Sequence, residues 1–470
     1  MKKVIHWALR FFIILFAILH FLTIFYENTI LLHVLAISAF GMMLFTILKQ
    51  SISKIKLPFT LFLLGVIILL VSDTSLINGL YNGLLQMRNM VGLLIIVPMI
   101  SWVLREETYV DSIMGFAHHL LDTSKKFYFG MAAFTQVIAY FLLFGSISMM
   151  YQFVNMVLKE EKGEVWEHFK GTALLRGFAL SVMWVVSIPS FAFVVEIMDA
   201  SLGKSIVQGL VISTIGIFLA VLFSHVEEKR YGVDITAGLE REIDDIMKHT
   251  TDRQKMIQNV VEFIVLFITL FGSILILHAY ISLELLVLIP LVVLVWILLY
   301  YLLKGRPKKL LKEAKTYVQQ DISKQSYQLC VMLGAGMMIF ALNQTGFAPF
   351  VVNGIYAVQE TTPFLNILFF LPFIVILLGF VGLGPLTVMV LVGGILETIH
   401  LPYPPELIVL AVTSGSAISI LLSPLIMPVI MLSGMNGMSG FKNGIQFNWK
   451  YAVAIYVVTQ IWVQFWVNIG

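Results

Sequence analysis

The sequence is poor in charge and in cysteine. Only 12% of its 470 residues are Asp, Glu, Lys or Arg, whereas 59% are hydrophobic, and the mean hydropathy is +0.94. A soluble domain carries about 25% charged residues, so an all-α, polytopic integral membrane protein is predicted instead. The single cysteine, Cys330, excludes an intrachain disulfide framework and a cysteine-rich metal cluster.

Several function classes lack their signatures in this sequence. The net charge of +3 is too small to indicate a nucleic-acid partner. There is no Walker-type glycine loop, no nucleophile elbow and no zinc motif. We therefore expect neither an enzyme nor a primary pump, and no organic cofactor.

Apolar runs of roughly 17–25 residues recur between charged or Gly/Pro-rich breaks, and each is long enough to cross the bilayer as a helix. The first, Val4 to Tyr26, has no small-residue cleavage site and is predicted to be a retained helix rather than a signal peptide. Eleven transmembrane helices are predicted, at about 5–26, 30–48, 57–72, 90–104, 171–198, 204–224, 259–279, 283–303, 326–342, 405–433 and 451–469.

Two further apolar stretches, about 127–158 and 362–397, are too long for one simple span. They are broken near the middle by Gly145-Ser146-Ile147-Ser148 and by Gly382-Leu383-Gly384-Pro385. Each stretch is compatible with one long helix, with two spans or with a re-entrant hairpin.

The placement of positive charge favours the hairpins. With the N-terminus inside and both stretches returning to their own side, only Arg88 and Lys204 fall in outside connections. Arg10 and Arg176 lie within predicted helices, and all other Lys and Arg residues fall inside. Because cytoplasmic loops retain positive charge, we expect a multi-pass plasma-membrane protein with a cytoplasmic N-terminus and an outside C-terminus.

An internal repeat relates the two halves of the chain. Gly145 aligns with Gly384, an offset of 384 − 145 = 239 residues, and Pro189 aligns with Pro428 by the same offset. The halves are inverted, because span 90–104 runs outside to inside and span 326–342 runs the other way. Inverted repeats with helices interrupted at matching positions are typical of secondary transporters.

The predicted fold is about eleven transmembrane helices plus two re-entrant hairpins in two inverted five-span repeats. Its parts are an N-terminal helix (1–28), a first repeat (29–225), a charged cytoplasmic linker (226–257) and a second repeat (258–470). Each repeat contains a hairpin, about 127–158 or 362–397, and then a broken helix, 171–198 or 405–433.

This order of elements resembles the ion transporter superfamily, and most of all its divalent-anion:sodium symporter branch. The amphipathic stretches Glu106 to Lys126 and Thr345 to Thr362 sit where that family has interfacial arm helices. The resemblance implies a homodimer in which the hairpins and broken helices carry the substrate by an elevator-type movement.

The hairpin tips depart from that branch. Its members carry Ser-Asn-Thr there, whereas this chain has Ser146-Ile147-Ser148 in one tip and Pro385-Leu386-Thr387 in the other. The resemblance therefore does not extend to a dicarboxylate as the substrate.

The candidate binding residues are the glycines, hydroxyls and prolines at the tips and breaks. Glycine permits close backbone approach, hydroxyls ligate sodium or donate to an anion, and proline frees a carbonyl one turn back. The predicted substrate site comprises Gly145, Ser146, Ser148, Gly384, Pro385, Thr387, Ser187, Pro189, Ser423 and Pro424. The predicted sodium ligands are Ser146, Ser148, Thr387, Thr413, Ser414 and Ser416. The alternative is that these residues only let turns and kinked helices pack closely.

Charged residues inside apolar runs are candidates for function by default. Arg176 is expected to extend toward the inner surface. Glu196 and Asp199 are expected near the outer interface, where either is also a candidate protonatable coupling group.

The leading hypothesis is a secondary transporter of a small, carboxylate-like organic or inorganic anion, coupled to sodium or protons. The expected partners are that anion, the lipid bilayer and a second copy of the chain. The alternatives are a cation/proton antiporter, an uncoupled exporter, an intramembrane enzyme or lipid-handling membrane protein, and a non-transporting assembly or sensor protein.

Overall fold

Helix is the regular structure throughout the part of the chain that the structure describes. The structure is a computed structural model that describes residues 2–26, 28–50, 52–72, 74–109, 112–113, 123–158, 163–232, 235–236, 253–347, 350, 354, 366–397, 399 and 401–469. No strand occurs among these residues. Much of the predicted linker, 226–257, and of the two predicted arm stretches lies outside them.

The helices follow the apolar runs and end at the charged or Gly/Pro-rich breaks. In the first half they are α1 (Lys2–Phe25), α2 (Thr29–Lys49), α3 (Ile52–Val71), α4 (Leu76–Leu85), α5 (Arg88–Ile96), α6 (Ser101–Leu104), α7 (Ser124–Leu142), α8 (Gly145–Val157), α9 (Glu164–Ser181), α10 (Pro189–Ile197) and α11 (Leu202–Tyr231). In the second half they are α12 (Arg253–Tyr280), α13 (Leu285–Leu303), α14 (Pro307–Thr316), α15 (Ser326–Asn343), α16 (Ile367–Phe380), α17 (Pro385–Leu396), α18 (Pro405–Leu422), α19 (Met427–Asn436) and α20 (Phe447–Ile469).

Within the described residues, nine helical segments are long and apolar enough to cross a membrane. They are Lys3–Phe25, Thr29–Lys49, Leu76–Leu104, Leu202–Tyr231, Gln254–Tyr280, Leu285–Leu303, Ser326–Asn343, Pro405–Asn436 and Lys442–Ile469. Of the two remaining predicted spans, 57–72 corresponds to the shorter apolar helix Ile55–Val71, and 171–198 is divided between α9 and α10. The chain is thus an all-helical, polytopic membrane protein over its described part.

One compact unit of the chain consists of Met1–Trp102, Ile276–Leu365 and Val390–Leu401. Its first two helices pack through apolar side chains, with the rings of Phe12 and Phe45 stacked 5.5 Å apart. The hydroxyls of Ser38 and Thr46 donate to carbonyls three and four residues back in their own helix, each at 2.7 Å. Polar groups here are satisfied locally, as a low-dielectric environment requires.

The other compact unit consists of Val103–Leu275, Asn366–Met389 and Pro402–Gly470. It contains α7 to α11 from the first half of the chain, and α16 and α18 to α20 from the second. Both predicted hairpin tips and both predicted helix interruptions therefore fall in this unit, which we call the break unit.

Two tight turns join helices in the break unit. Leu143 and Phe144 separate α7 from α8, and residues 381–384 separate α16 from α17. Each turn contains one residue with positive φ, Leu143 at 50° and Gly382 at 94°. Gly382 follows Leu143 by 239 positions, the offset of the predicted repeat. Because positive φ is costly for a residue with a side chain, Leu143 holds the first turn in a strained conformation.

Two long apolar segments of the break unit are interrupted. The first helix ends at Ser181 and resumes at Pro189, and the second ends at Leu422 and resumes at Met427. Each resumed helix has a proline in its first turn, Pro189 in α10 and Pro428 in α19. Proline is tolerated at this position because the first-turn N–H has no intrahelical partner.

Close backbone approach holds each interrupted helix against the helix that precedes the tight turn. A Cβ at Gly177 of α9 would lie 2.4 Å from the carbonyl oxygen of Ala132 in α7. A Cβ at Gly415 of α18 would lie 2.7 Å from the carbonyl oxygen of Pro372 in α16. Only glycine permits these approaches. Gly415 follows Gly177 by 238 positions, and Pro372 follows Ala132 by 240.

Replacing Gly177 with alanine is expected to destabilise the protein, although alanine has the higher helix propensity. The added Cβ would meet a backbone oxygen that moves only with α7, so we expect a loss of about 1–3 kcal/mol, the usual cost of overpacking. The measurement is the thermal midpoint of the detergent-purified protein. Gly272→Ala is the matched control, since no heavy atom lies within 4 Å of a Cβ there. Equal midpoints for the two variants would contradict the close approach.

Candidate functional site

One of the two serines at the turn between α7 and α8 forms a hydrogen bond within the turn itself. Ser146 is fully buried, and its Oγ donates a hydrogen bond to the carbonyl of Leu143 at 2.7 Å. Ser148 and Gly145 are half-buried in the first turn of α8. Of the two predicted hydroxyl ligands in this tip, Ser148 is therefore the one better placed to meet a ligand.

The turn between α16 and α17 leaves room beside its backbone. Gly384 is half-buried, and a Cβ added there would have no heavy atom within 4 Å. Pro385 begins α17, and Thr387 lies buried in the first turn of that helix. A small group could therefore approach the backbone at Gly384 without meeting a side chain.

A buried serine at each helix break bonds to the end of the helix before the tight turn. Ser187 Oγ donates to the carbonyl of Tyr140 in the last turn of α7 at 2.5 Å. Ser423 Oγ donates to the carbonyl of Gly379 in the last turn of α16 at 2.9 Å. Gly379 follows Tyr140 by 239 positions, and Ser423 follows Ser187 by 236. The same bond therefore holds both breaks to the turn-forming helices.

Neighbouring helices cover the backbone at both breaks. A Cβ at Gly209 of α11 would lie 1.9 Å from the carbonyl oxygen of Met183, just after α9 ends. A Cβ at Gly444, just before α20, would lie 2.6 Å from the carbonyl oxygen of Leu422, where α18 ends. Pro424, two residues further on, lies in the segment that joins α18 to α19. The first break is buried throughout, whereas the second is covered at Leu422 and Ser423 but exposes the side chain of Leu425. Irregular backbone at membrane depth requires such cover.

Two of the three hydroxyl groups predicted as sodium ligands in α18 form hydrogen bonds within their own helix. Thr413 Oγ1 donates to the carbonyl of Val409 and Ser414 Oγ to that of Ala411, each at 2.8 Å. Ser416 Oγ is buried and has no hydrogen-bond partner among the described residues. Of the three hydroxyls predicted as sodium ligands in α18, Ser416 is the one left to bind a ligand.

Gln136 of α7 is a buried amide beside the first break. Its Oε1 accepts hydrogen bonds from the indole nitrogen of Trp184, at 2.7 Å, and from Ser213 Oγ, at 2.8 Å. One side chain thus joins α7, the break and α11. Its Nε2 is buried and has no partner within the described part of the chain, and such a donor is costly unless a ligand or water satisfies it.

Arg176 of α9 is fully buried, so the predicted extension of this side chain to the inner surface is wrong. Its guanidinium donates to Asn448 Oδ1 at 2.9 Å, to the Tyr128 hydroxyl at 3.1 Å and to the Phe447 carbonyl at 3.1 Å. The guanidinium carbon lies 4.7 Å from the ring centroid of Tyr451. The side chain reaches these partners instead of the surface because α7 and α20 supply acceptors close by.

One carboxylate faces this guanidinium. Glu227 of α11 has its Oε1 3.9 Å from Arg176 Nη2 and its Oε2 3.5 Å from His168 Nε2. His168 precedes the predicted span 171–198, and burial together with the nearby Arg176 lowers the pKa of its imidazole to about 3. The imidazole is therefore neutral at physiological pH, and Arg176 and Glu227 are the charged members of the cluster.

Lys170 is a second buried cation in α9, although the sequence places it in a solvated connection. Only 2% of its side chain is exposed, and it pairs with the Glu167 carboxylate. Its Nζ also donates to Asn155 Oδ1 of α8 at 2.7 Å, and Tyr151 of α8 donates to Glu167 Oε2 at 2.7 Å. This pair fastens α8 to the start of the first broken helix.

Sequence reasoning misses Gln136, Lys170 and Glu227. Lys170 and Glu227 lie at the ends of predicted spans, where charge is ordinarily interfacial. An amide within a long apolar stretch is the signal that could have found Gln136. No cluster of three or more His, Cys, Asp or Glu residues suited to a metal ion occurs among the described residues.

Replacing Arg176 with methionine is expected to destabilise the protein by about 3–5 kcal/mol, because removing one member of a buried charged network leaves the others without compensation. Arg176→Lys should rescue little of the loss, since an ammonium does not reproduce the directed guanidinium bonds. Lys204→Met is the control: Lys204 is exposed, and its pairing with Glu406 at 3.7 Å is worth about 0–1 kcal/mol. Thermal midpoints in detergent check the ranking, and an Arg176→Met midpoint equal to that of Lys204→Met would refute it.

No family model matches the chain, and no curated protein sequence matches it. A functional interpretation therefore depends on the turns, the helix breaks and the buried polar groups described above.

Proposed function

We propose that the protein is a secondary transporter of a small anion, coupled to sodium or protons. The observation that carries the proposal is the pair of matching serine bonds, Ser187 to Tyr140 and Ser423 to Gly379. Each bond joins a helix break to a helix that ends in a tight turn. Helices interrupted at matching positions are how transporters build a binding site from backbone in the middle of a bilayer.

In this proposal, residues 29–225 and 258–470 are two inverted repeats, and the α7–α8 and α16–α17 pairs are re-entrant hairpins. The recurrence of structural features at the offset of the sequence repeat supports this. The positive φ recurs at Leu143 and Gly382, and the close approach at Gly177 recurs at Gly415. Chance similarity between apolar sequences gives no reason for such contacts to recur.

The anion site we propose uses backbone and neutral polar groups. The helices α10 and α19 begin at the breaks, and the N-terminus of a helix attracts negative charge. Ser148, Gly384 and Thr387 of the turns would complete the site, with Gly384 allowing the anion to approach the backbone. Ser416, whose hydroxyl has no partner in the described part of the chain, is the candidate sodium ligand in α18.

The proposal also covers the location of the protein, its oligomeric state and its movement during transport. The protein would lie in the plasma membrane with its N-terminus in the cytoplasm and its C-terminus outside. It would be a homodimer, and the hairpins with the broken helices would carry the anion across by an elevator-type movement.

The direct test is thermal unfolding of the detergent-purified protein against mono-, di- and tricarboxylates and inorganic oxyanions, each with sodium or with potassium. A ligand that binds only the folded state stabilises it by RT ln(1 + [L]/Kd), about 2.7 kcal/mol at a hundredfold excess over Kd. We expect one anion class to raise the midpoint, and Ser148→Ala with Thr387→Val to lose that shift. Ser273→Ala, whose hydroxyl bonds within its own helix, should retain it. A panel in which no anion shifts the midpoint would count against the proposal.

The re-entrant hairpins are tested by labelling in membrane vesicles. Cys330 is buried, so a Cys330→Ala background carries no other thiol. Ser148→Cys and Gly384→Cys are then exposed one at a time to a membrane-impermeant maleimide. We expect labelling from opposite sides, because the two hairpins enter from opposite faces in an inverted repeat. Labelling of both positions from one side only, with or without ligand, would exclude the inverted arrangement.

A further inference from the structure

Glu227 differs from an ordinary buried ion-pair carboxylate. Its side chain is 21% exposed, so water reaches part of the group. Its Oε2 is nevertheless buried and has no hydrogen-bond partner among the described residues. Without donors, the charged form of a carboxyl group loses its hydration and gains little in return.

The adjacent residue shows what a stabilised carboxylate looks like in the same helix. Glu228 accepts hydrogen bonds from Ser124 Oγ at 2.8 Å and from the backbone N–H of Ile235 at 3.1 Å. It also lies 3.8 Å from His225 Nδ1. The hydrogen bonds from Ser124 and Ile235 stabilise the anion at Glu228. Among the described residues, Glu227 Oε2 accepts no such bond, and the nearest cationic or imidazole nitrogens, of His168 and Arg176, approach the Glu227 carboxyl only to 3.5 and 3.9 Å.

Arg176 tolerates either charge state of Glu227. Its strong hydrogen bonds go to neutral acceptors, Asn448, Tyr128 and the Phe447 carbonyl, at 2.9–3.1 Å. The approach to Glu227 is longer, at 3.9 Å. A proton on Glu227 therefore removes a long-range attraction and leaves the bonds that hold the guanidinium intact.

The groups around Glu227 determine whether its charged or its neutral form is favoured. The titratable and charged groups that face it are Arg176 and His168 from α9, Tyr128 from α7, Arg230 and Tyr231 from α11 itself, and Lys450 from α20. The cations favour the carboxylate, whereas burial favours the acid. Since His168 is neutral, the Glu227 carboxylate is the only acidic group that faces Arg176 within the described part of this cluster, and it is the group on which a proton could be taken up.

We propose that Glu227 is a proton-binding site that takes up a proton from water on Oε2 and releases it again. An O–H bond forms on uptake and breaks on release, and the carboxyl changes from charged to neutral without change at Arg176. The role that we assign to this site is to couple proton movement to transport of the anion, and that role rests on the proposed function.

A chain of hydrogen bonds connects this site to the second broken helix. Arg176 Nε donates to Asn448, and Asn448 Nδ2 donates to the carbonyl of Asn443 at 2.8 Å. Asn443 and Asn436 exchange amide hydrogen bonds at 2.8 and 3.0 Å, and Asn436 is the last residue of α19. Loss of the negative charge at Glu227 would thus change the electrostatic balance at one end of a network that terminates on the segment after the second break.

The test is a pH jump on proteoliposomes adsorbed to a solid-supported membrane, with no candidate anion present. The displaced charge then reports proton binding without requiring transport. We expect wild type to give a charge displacement and Glu227→Gln to lose it. The matched control, Glu228→Gln, should retain the wild-type signal. An unchanged signal in Glu227→Gln, or no signal in wild type, would overturn the proposal.

Two further measurements complete the test: a second variant at Glu227, and anion jumps at constant pH. If Glu227→Gln does not fold, Glu227→Asp is used, because a side chain one methylene shorter moves the carboxyl away from His168 and Arg176. The pH midpoint of the signal should then shift, and an unshifted midpoint would refute the assignment. Anion jumps at constant pH test the proposed function separately. A Glu227-dependent pH signal without any anion signal would preserve the proton site and reject the transporter, whereas the reverse result would reject only the proton site.

Discussion

A helix that stops inside hydrocarbon must find partners for the backbone groups that it frees, and the break unit is built around that requirement. The serines at the breaks, Ser187 and Ser423, bond to the ends of the turn-forming helices. Glycines at 209 and 444 let further helices lie directly on the backbone beside the breaks. The breaks are therefore stable only because distant parts of the chain cover them. That dependence explains why turn, break and covering helix belong to one compact unit although they come from both halves of the sequence.

The elements that local chemistry determines could be predicted from the sequence. Span length follows from the length of the apolar runs, and the nine long apolar helices found in the described part of the chain correspond to predicted spans. Pro189 and Pro428 mark where the helices resume because proline cannot continue a helix from the preceding turn. The tight turn near Gly145 was also expected, but the strained residue there is Leu143, which the composition of the turn does not reveal.

Burial of charge could not be predicted, because it depends on contacts between residues far apart in the sequence. Arg176 is buried since Asn448, 272 residues away, supplies an acceptor. Lys170 is buried since α8 folds back on α9 and places Asn155 beside it. Seen in sequence alone, each of these cations lies near the end of an apolar run, where extension to the interface is the ordinary outcome. The positions of the turns and helix breaks could thus be predicted from the sequence, whereas the burial of these two cations could not.

The way these polar groups are used limits how the break unit could hold an anion. Lys170 is paired with Glu167, and the guanidinium of Arg176 is occupied by neutral acceptors, so neither cation is presented to a ligand. Among the described residues, the groups near the breaks that stay available are helix N-termini and neutral donors such as the Nε2 group of Gln136. Neutral donors bind an anion less tightly than a buried ion pair would, which would suit the carrier we propose, because a carrier must also release its cargo. A charge change at Glu227 would then act on the stability of the arrangement around the breaks rather than on the anion itself.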